Sequence, residues 1–324
     1  MHIHLFSPGD GTSPDRLSSS SIASERLRLS PAFECARAAG IDVSIGNVCP
    51  DQTTTALIGK IGVDVIQQRG PQWLDQICQL TQKNKKTVLD YTDHHLSMKT
   101  PMTPFYTQAI ASVTKVVTPT ETLATALVDH QVKASTETIG DLLEYPANAP
   151  SKVRDIHKPI ALWFGHPSNA AFLARYLDDH AHEMAKHRLL IVSAPATWET
   201  LKRFSFRNRP NLEFMFKAWS KQMMVKASQV ADYCIIPSDT TMAKRFASSN
   251  RLVTALALGL PTVATAIPSY IPFRNFFAEE GSEAASKLMA DPALFHHMVE
   301  NFQATQLSEF TLSTLIKKWH KVLF

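Results

Sequence analysis

The chain lacks the cysteine spacings that mark metal knuckles and disulfide frameworks. Its four cysteines, Cys35, Cys49, Cys78 and Cys234, are scattered without any Cys-x-x-Cys pair, which fits a reducing cytoplasm. There is no G-x-G-x-x-G after a strand-like run and no G-x-x-x-x-G-K-[ST], so the dinucleotide fingerprint and the P-loop are both absent. There is no G-x-S-x-G elbow, and Ser112-Val-Thr-Lys115 stands without the companion motifs of a Ser-x-x-Lys enzyme. No Asp-x-Asp pair is present to hold a divalent cation against a diphosphate. His182 and His187 stand five apart instead of the four of a zincin helix, so they diverge around the axis and cannot easily share a metal. The N-terminal residues show no basic segment leading into an apolar stretch, so no secretion signal is expected. The longest apolar stretch, Val253 to Ile267, is broken by Gly259 and Pro261 and falls short of the ~20 residues of a membrane span.

Charge is also sparse. Charged types make up 19% of the 324 residues against 44% apolar, which excludes a disordered or highly charged scaffold and leaves a soluble globular class. Lysines and arginines number 33 against 29 acids, a net +4 with no dense basic block. That mild bias suits an anionic small ligand or a membrane surface better than nucleic acid, and no nucleic-acid partner is expected.

What the chain does have is a succession of short β-rich runs, each followed by a segment with helical spacing. The first half supplies His2–Phe6, Ile41–Ile45, Val63–Ile66, Thr87–Tyr91 and Lys115–Thr118. The second supplies Ile160–Phe164, Leu189–Ser193, Leu212–Phe216, Tyr233–Pro237 and Pro261–Thr265, with helices expected at Ala170–Asp178 and Arg251–Leu258. The pattern predicts an α/β protein of two doubly wound, Rossmann-like domains with buried parallel sheets. Tyr145-Pro-Ala-Asn-Ala-Pro-Ser-Lys152, followed by His157-Lys-Pro159, reads as the linker between them. The Gly-, Ser- and Pro-rich stretch Ser7 to Ser24 follows the first strand, where a doubly wound fold places a ligand-facing loop. A plain surface loop is the other reading.

The most informative stretch runs from Ala231-Asp-Tyr-Cys-Ile-Ile-Pro-Ser238 to Lys244-Arg-Phe-Ala-Ser-Ser-Asn-Arg-Leu-Val-Thr254 and on through Gly259-Leu-Pro261. It reads as a buried strand, a polar loop with cations, a helix opening near Ser249 or Asn250, and a glycine stop. A helix N-terminus at the carboxyl end of a parallel sheet is a natural anion site, because unbonded N–H groups and the dipole both point at the ligand. Lys244, Arg245 and Arg251 add charge there, so the place suits a diphosphate; a capped helix with solvated cations is the alternative.

These residues resemble a known family. Pro237-Ser238 with Ala255-Leu-Ala-Leu-Gly-Leu-Pro-Thr-Val-Ala264 resembles the donor-domain signature of GT-B glycosyltransferases of the large group-1 type. Leu162-Trp-Phe-Gly-His-Pro-Ser-Asn169 is similar to the opening strand and glycine turn of that domain. Ser24-Glu-Arg-Leu-Arg28, Ala38-Ala-Gly40 and Val117-Thr-Pro-Thr-Glu121 resemble parts of the acceptor domain. The resemblance implies two facing Rossmann-like domains, over 1–150 and 151–304, with a terminal helix at 305–324 packing back on the first. It implies a nucleotide-diphosphate sugar donor held by the second domain at Gly165, His166, Lys217, Lys244, Asn250, Arg251 and Thr254, and a carbohydrate or glycoconjugate acceptor held mostly by the first. The chain departs from the family's Glu-x7-Glu motif, with Phe246 and Thr254 where the glutamates belong. The arginine and lysine usual after the donor-domain glycine are also replaced, with His166 and Asn169 nearby.

Asp90-Tyr-Thr-Asp-His-His95 ends a strand, and Asp93 or His94 could take the proton of an acceptor hydroxyl or stabilise the reacting sugar; a loop-capping cluster is the alternative. Trp163 and Trp198 read as packing residues, and Trp219 as the best stacking candidate because Lys217 and Lys221 flank it. Leu307 to Phe324 reads as an amphipathic helix with Leu312, Leu315, Ile316, Trp319 and Leu323 on one face; a membrane-surface role is its second reading. The expectation is a metal-independent, cofactor-free, cytoplasmic glycosyltransferase of bacterial polysaccharide or glycoconjugate synthesis, peripheral to the membrane's inner face if it contacts one. Its rivals are a non-catalytic GT-B-like binding or assembly subunit and a nucleotide-sugar epimerase.

Overall fold

The computed structural model describes residues 1–9, 13–150, 158–203 and 212–324. The expected boundary after residue 150, the linker residues Ser151, Lys152 and His157, and positions 10–12 of the Ser7 to Ser24 loop lie outside the described residues.

The chain divides into two compact units. One comprises Met1–Leu143, Phe246–Ser248 and Glu309–Phe324; the other comprises Glu144–Arg245 and Ser249–Ser308. In the first, β1 (His2–Phe6), α1 (Ser30–Ala38), β2 (Asp42–Gly46), β3 (Thr55–Ile58), α2 (Ile66–Gln82), β4 (Lys86–Asp90), α3 (Thr103–Ser112), β5 (Lys115–Thr118), α4 (Glu121–Asp129) and β6 (Ser135–Thr138) alternate along the chain. The second carries β7 (Ile160–Gly165), α5 (Ala170–Asp179), α6 (Ala181–Met184), β8 (Arg188–Ser193), α7 (Pro195–Arg203), β9 (Glu213–Ala218), α8 (Lys221–Val230), β10 (Tyr233–Ile236), α9 (Met242–Arg245) and α10 (Asn250–Ala257). It continues through β11 (Thr262–Ala264), β12 (Ala278–Glu279), α11 (Glu283–Ala290) and α12 (His296–Thr305). Last in the chain, α13 (Leu312–Leu323) belongs to the first unit.

Both sheets are parallel throughout, ordered β2-β1-β3-β4-β5-β6 and β12-β11-β10-β7-β8-β9. The interior strands are apolar on both faces, as in Thr55–Ile58 and Tyr233–Ile236, because helices cover each side. The two orders reverse direction between β1 and β3 in the first sheet and between β7 and β10 in the second. At such a switch point adjacent crossovers diverge to opposite faces, leaving a crevice beyond the strands' carboxyl ends.

The expected doubly wound architecture is present in both units. Several elements differ from the sequence expectation. Val63–Ile66 is not a strand: β3 lies at Thr55–Ile58, and Val63, 62% exposed, belongs to the turn into α2. The fully buried Thr-Ala-Leu-Ile run takes the interior position, and Gly59 and Gly62 break the chain after it. The edge strand β6 has the half-exposed alternation of Ser-Thr-Glu-Thr and no apolar run to mark it. The helix expected over Leu307 to Phe324 is a 3-10 turn at Leu307–Phe310 followed by α13. Its buried face is Leu315, Trp319, Val322 and Leu323, joined to Ile3, Leu5, Ala32 and Val117 in the first unit's core, while Leu312 is left exposed. That face is thereby occupied and does not serve as a membrane surface. Arg28 lies over the Trp319 ring at 5.6 Å.

Gly259 ends α10 with φ at 86°, and a Cβ there would stand 2.6 Å from the Ala149 carbonyl oxygen. We expect Gly259→Ala to cost about 1–3 kcal/mol in urea denaturation, from strain and backbone clash together; a loss under about 0.5 kcal/mol would contradict this.

Two buried histidines make the fold acid-sensitive. Burial holds His4 in the first unit and His187 in the second down at about 4 from 6.5. His4 Nδ1 pairs with Ser44 Oγ at 2.8 Å, and His187 Nδ1 with the Tyr233 hydroxyl at 3.1 Å. Because the folded values are depressed, the unfolded chain binds protons first. Stability is therefore complete above pH 6.5 and declines as pH falls toward 4, by up to ~1.4 kcal/mol per pH unit for each histidine. His4→Gln and His187→Gln should each flatten the melting-temperature profile between pH 6.5 and 4; an unchanged slope in both variants would refute the assignment.

Candidate functional site

The second unit gathers its polar groups at its switch point. Strand β7 ends at Gly165, whose carbonyl accepts a hydrogen bond from Ser193 at the end of β8, while Ser193 pairs with Thr197 Oγ1 at 2.6 Å. The chain then turns through His166-Pro167-Ser168-Asn169, with His166 Nδ1 accepting from the Ser168 amide at 3.2 Å, and enters α5. On the other side of the switch point, β10 runs into Pro237-Ser238, and the Ser238 amide donates to Thr265 Oγ1 at 2.8 Å.

Arg251, in the first turn of α10, reaches this place from a different crossover. A Cβ added at Gly165 would meet Trp163 Cζ2 at 3.4 Å, Asn169 Nδ2 at 3.5 Å and Arg251 Nη1 at 3.6 Å. These are ordinary contact distances, and they place the guanidinium beside the strand end. Arg251 Nη1, Asn169 Oδ1, Trp163 Nε1 and Ser238 Oγ are all sealed from solvent without a hydrogen-bond partner. Leaving one such group unmade costs about 1–3 kcal/mol, so their concentration at one strand end signals a site with a use other than stability. Burial pushes the neighbouring Tyr270 phenol up, and Arg251, within hydrogen-bonding reach, partly offsets this. The α10 N-terminus has no side-chain cap on its first amides.

The other expected donor residues fall into three groups. Lys244 lies over the Phe172 ring of α5 at 5.6 Å, and Arg175 over the same ring at 5.7 Å, with Arg175 Nη2 donating to the Ser238 carbonyl at 3.4 Å. Asn250 and Thr254 face each other within α10, the Thr254 hydroxyl donating to Asn250 Oδ1 at 3.0 Å, so Thr254 is buried against its own helix. Lys217 is not brought to Gly165. It sits on edge strand β9, separated from β7 by β8, and lines an apolar groove beside α8. Tyr270, Phe172 and Arg175 had no sequence signal, because isolated residues far apart in the chain meet only through the sheet order.

In the first unit, the segment after β4 is tightly held. Asp90 is fully buried and takes Arg28 Nη2 at 2.6 Å and Nε at 3.1 Å, while Arg28 also donates to the Ile139 and Gly140 carbonyls. The Tyr91 hydroxyl accepts from the His95 amide at 2.6 Å and the Leu96 amide at 3.2 Å, which shapes the loop; burial pushes this phenol up to about 12. Asp93 pairs with Lys60 and stays partly exposed. His94 is 4% exposed, with Nε2 on Ser97 Oγ at 2.7 Å and that hydroxyl on His130 Nε2 at 2.8 Å. Burial, then His130 and His95, hold His94 down at about 4, so it is neutral at neutral pH. Phe246 packs on the His94 ring at 4.5 Å, and His95 stacks on Tyr106 at 4.3 Å. Of the two residues expected to handle an acceptor proton, Asp93 is the accessible one and His94 is enclosed. Among the described residues no cluster of three or more His, Cys, Asp or Glu side chains could hold a metal ion. His187 is committed to Tyr233.

No family model and no curated protein matches the chain. Solved structures do. TarM matches with a TM-score of 0.60 at 10% identity over 83% of this chain and 54% of its own, so the present chain spans about half the length of TarM. A glycosyltransferase from Rickettsia africae ESF-5 matches with a TM-score of 0.59 at 11% identity, over 99% of this chain and 98% of its own. The lipopolysaccharide outer core galactosyltransferase WaaB in its apo form matches with a TM-score of 0.58 at 10% identity, over 100% of this chain and 99% of its own. The fold is thus GT-B, built of two Rossmann-like units.

We expect Arg251→Met to change stability by less than about 1 kcal/mol, since losing the Tyr270 contact is offset by removing a buried donor with no partner. Thermal denaturation checks this. A loss above about 3 kcal/mol would mean the guanidinium is a structural strut.

Proposed function

We propose that the chain is a glycosyltransferase that moves a sugar from a nucleotide-diphosphate donor to a hydroxyl acceptor, in bacterial polysaccharide or glycoconjugate synthesis. The observation that carries this reading is the buried, unpaired Nη1 of Arg251 beside Gly165 at the switch point of the second sheet. It is supported by the GT-B fold shared with structures described as glycosyltransferases.

In this reading the diphosphate lies against Arg251 and the N-terminal turn of α10, with Lys244 nearby. When the sugar leaves, negative charge grows on the diphosphate, and prearranged cations and dipoles take it up without reorganising. No metal or cofactor is part of the proposal. Asp93 accepts the acceptor's proton, and neutral His94, fixed through Ser97 and His130, positions the loop that carries it. Gly165, His166, Asn250 and Thr254 complete the donor site as its proposed lining. Four thiols, none paired, agree with the cytoplasm as the compartment.

A non-catalytic GT-B-like subunit is favoured by one observation, the Phe246 and Thr254 that stand in place of two glutamates. A thermal-shift screen against uridine, guanosine, thymidine and cytidine diphosphates, coupled to assay of nucleoside diphosphate release from the matching sugars, separates the two. One nucleotide should stabilise the protein by about 2.7 kcal/mol at a hundred times its Kd, and Arg251→Met should abolish the shift. Asp93→Asn should keep that shift and lower turnover by ~100-fold or more. Binding without turnover would select the subunit reading, donor isomerisation an epimerase, and no shift with any nucleotide would overturn the donor site.

A further inference from the structure

A second feature of the same unit lies at the edge of its sheet. Edge strand β9 and helix α8 enclose a groove of about 360 Å³. Its walls are apolar, from Leu189, Phe214, Met215, Met223, Ala227 and Val230. The groove runs along β9 from the start of the strands, where Ile160, Arg188 and Glu213 stand in register, up to Lys217, while Gly165, Ser193 and Ala218 mark the end that carries the candidate donor site.

Two properties of this place are unusual for a protein surface. Edge strands are ordinarily protected by charge or cover, yet β9 presents Phe214 at 39% and Met215 at 55% exposure, with Val230 of α8 at 42% beside them. The rim is also cationic. Arg188, Lys217 and Lys226 line the groove with a single carboxylate, Glu213, and Lys158 already pairs with that carboxylate at 2.5 Å. Four cations therefore face one acid.

We propose that this groove docks the second unit on an anionic phospholipid bilayer, with Met215 of β9 and Val230 of α8 entering the interfacial layer and Arg188, Lys217 and Lys226 meeting lipid phosphates. Apolar side chains rimmed by cations combine the two attractions that hold proteins to anionic membranes. The charge decides against a second copy of the chain as occupant, because a two-fold contact through β9 would set each cationic rim against its own duplicate. The terminal helix α13 does not compete for this role, since its apolar face is spent in the first unit's core. The proposal stands independently of the donor-site reading, because the two places share no residue once Lys217 is assigned to the groove.

The test is co-sedimentation of the full chain with vesicles of phosphatidylcholine alone and of phosphatidylcholine mixed with phosphatidylglycerol. The chain should pellet with the anionic vesicles only, and less so as salt rises from about 0.1 to about 0.5 M. Arg188→Glu combined with Lys226→Glu should weaken partitioning by more than about tenfold. Met215→Ser combined with Val230→Ser should weaken it as well, leaving a more salt-sensitive residue of binding. Both sites are surface positions, and unchanged circular-dichroism melting confirms that the variants fold. Absence of pelleting, equal pelleting with neutral vesicles, or full binding by both double variants would overturn the proposal. So would loss of binding in Lys317→Glu with Lys318→Glu alone, which would assign the contact to α13. A dimer at micromolar concentration that either groove variant converts to monomer would assign the groove to a second copy instead.

Discussion

In a parallel sheet wound in both directions, the strand from which the crossovers diverge keeps its carboxyl end uncovered. The second unit is built around that constraint. Strand β7 is followed by β8 and β9 on one side and by β10, β11 and β12 on the other, so Gly165 opens into the crevice between diverging crossovers. Gly165 has no side chain to fill the space, Ser193 holds its carbonyl, and Arg251 enters from α10 to within 3.6 Å of where a Cβ would be. The guanidinium nitrogen that results is buried with no protein partner. Other buried polar groups of the unit are satisfied, as His187 is by Tyr233 and Thr197 by Ser193. Stability has been spent at one strand end, and a doubly negative ligand is the chemistry that would return it.

The first unit obeys the same rule with a different result. Its buried carboxylates near the strand ends are closed on partners: Glu25 is buried among Ser7, Arg16 and Ser20, and Asp90 is clamped by Arg28. The loop after β4 keeps an accessible carboxylate, Asp93, paired with Lys60 at the surface. The loop after β4 also holds buried ring nitrogens without a partner, His94 Nδ1 and both nitrogens of His95, so unmet polar groups gather at a strand end in this unit too, here as neutral imidazoles beside an accessible carboxylate where the second unit has a cation.

Much of this was legible in the sequence because parallel strands buried on both faces announce themselves as continuous apolar runs. Ile160–Phe164 and Tyr233–Pro237 were placed to within a residue or two for that reason. The runs that failed had no such signature. Thr55–Ile58 is short and opens with threonine, Val63–Ile66 looked better by composition, and β6 is an edge strand whose alternation is polar. At the site, Gly165 and Arg251 could be named because a glycine after a strand and a cation at a helix start are local signals. Lys217 looked equivalent in sequence, yet its strand lies at the edge and turns it into the groove. His94 showed the chemistry of a base but not the Phe246, Ser97 and His130 that enclose it, since those come from distant segments. Burial and partnership, unlike residue type, are properties of the assembled unit.

The central claim is that the partnerless Nη1 of Arg251 is a diphosphate receptor. A crystal structure of the chain with the nucleoside diphosphate that most raises its melting temperature tests this most directly. The account predicts a phosphate oxygen about 2.7–3.1 Å from Arg251 Nη1, with further oxygens on the first amides of α10 and the sugar side directed past Gly165. A diphosphate bound elsewhere, with Arg251 Nη1 still without a partner, would contradict it.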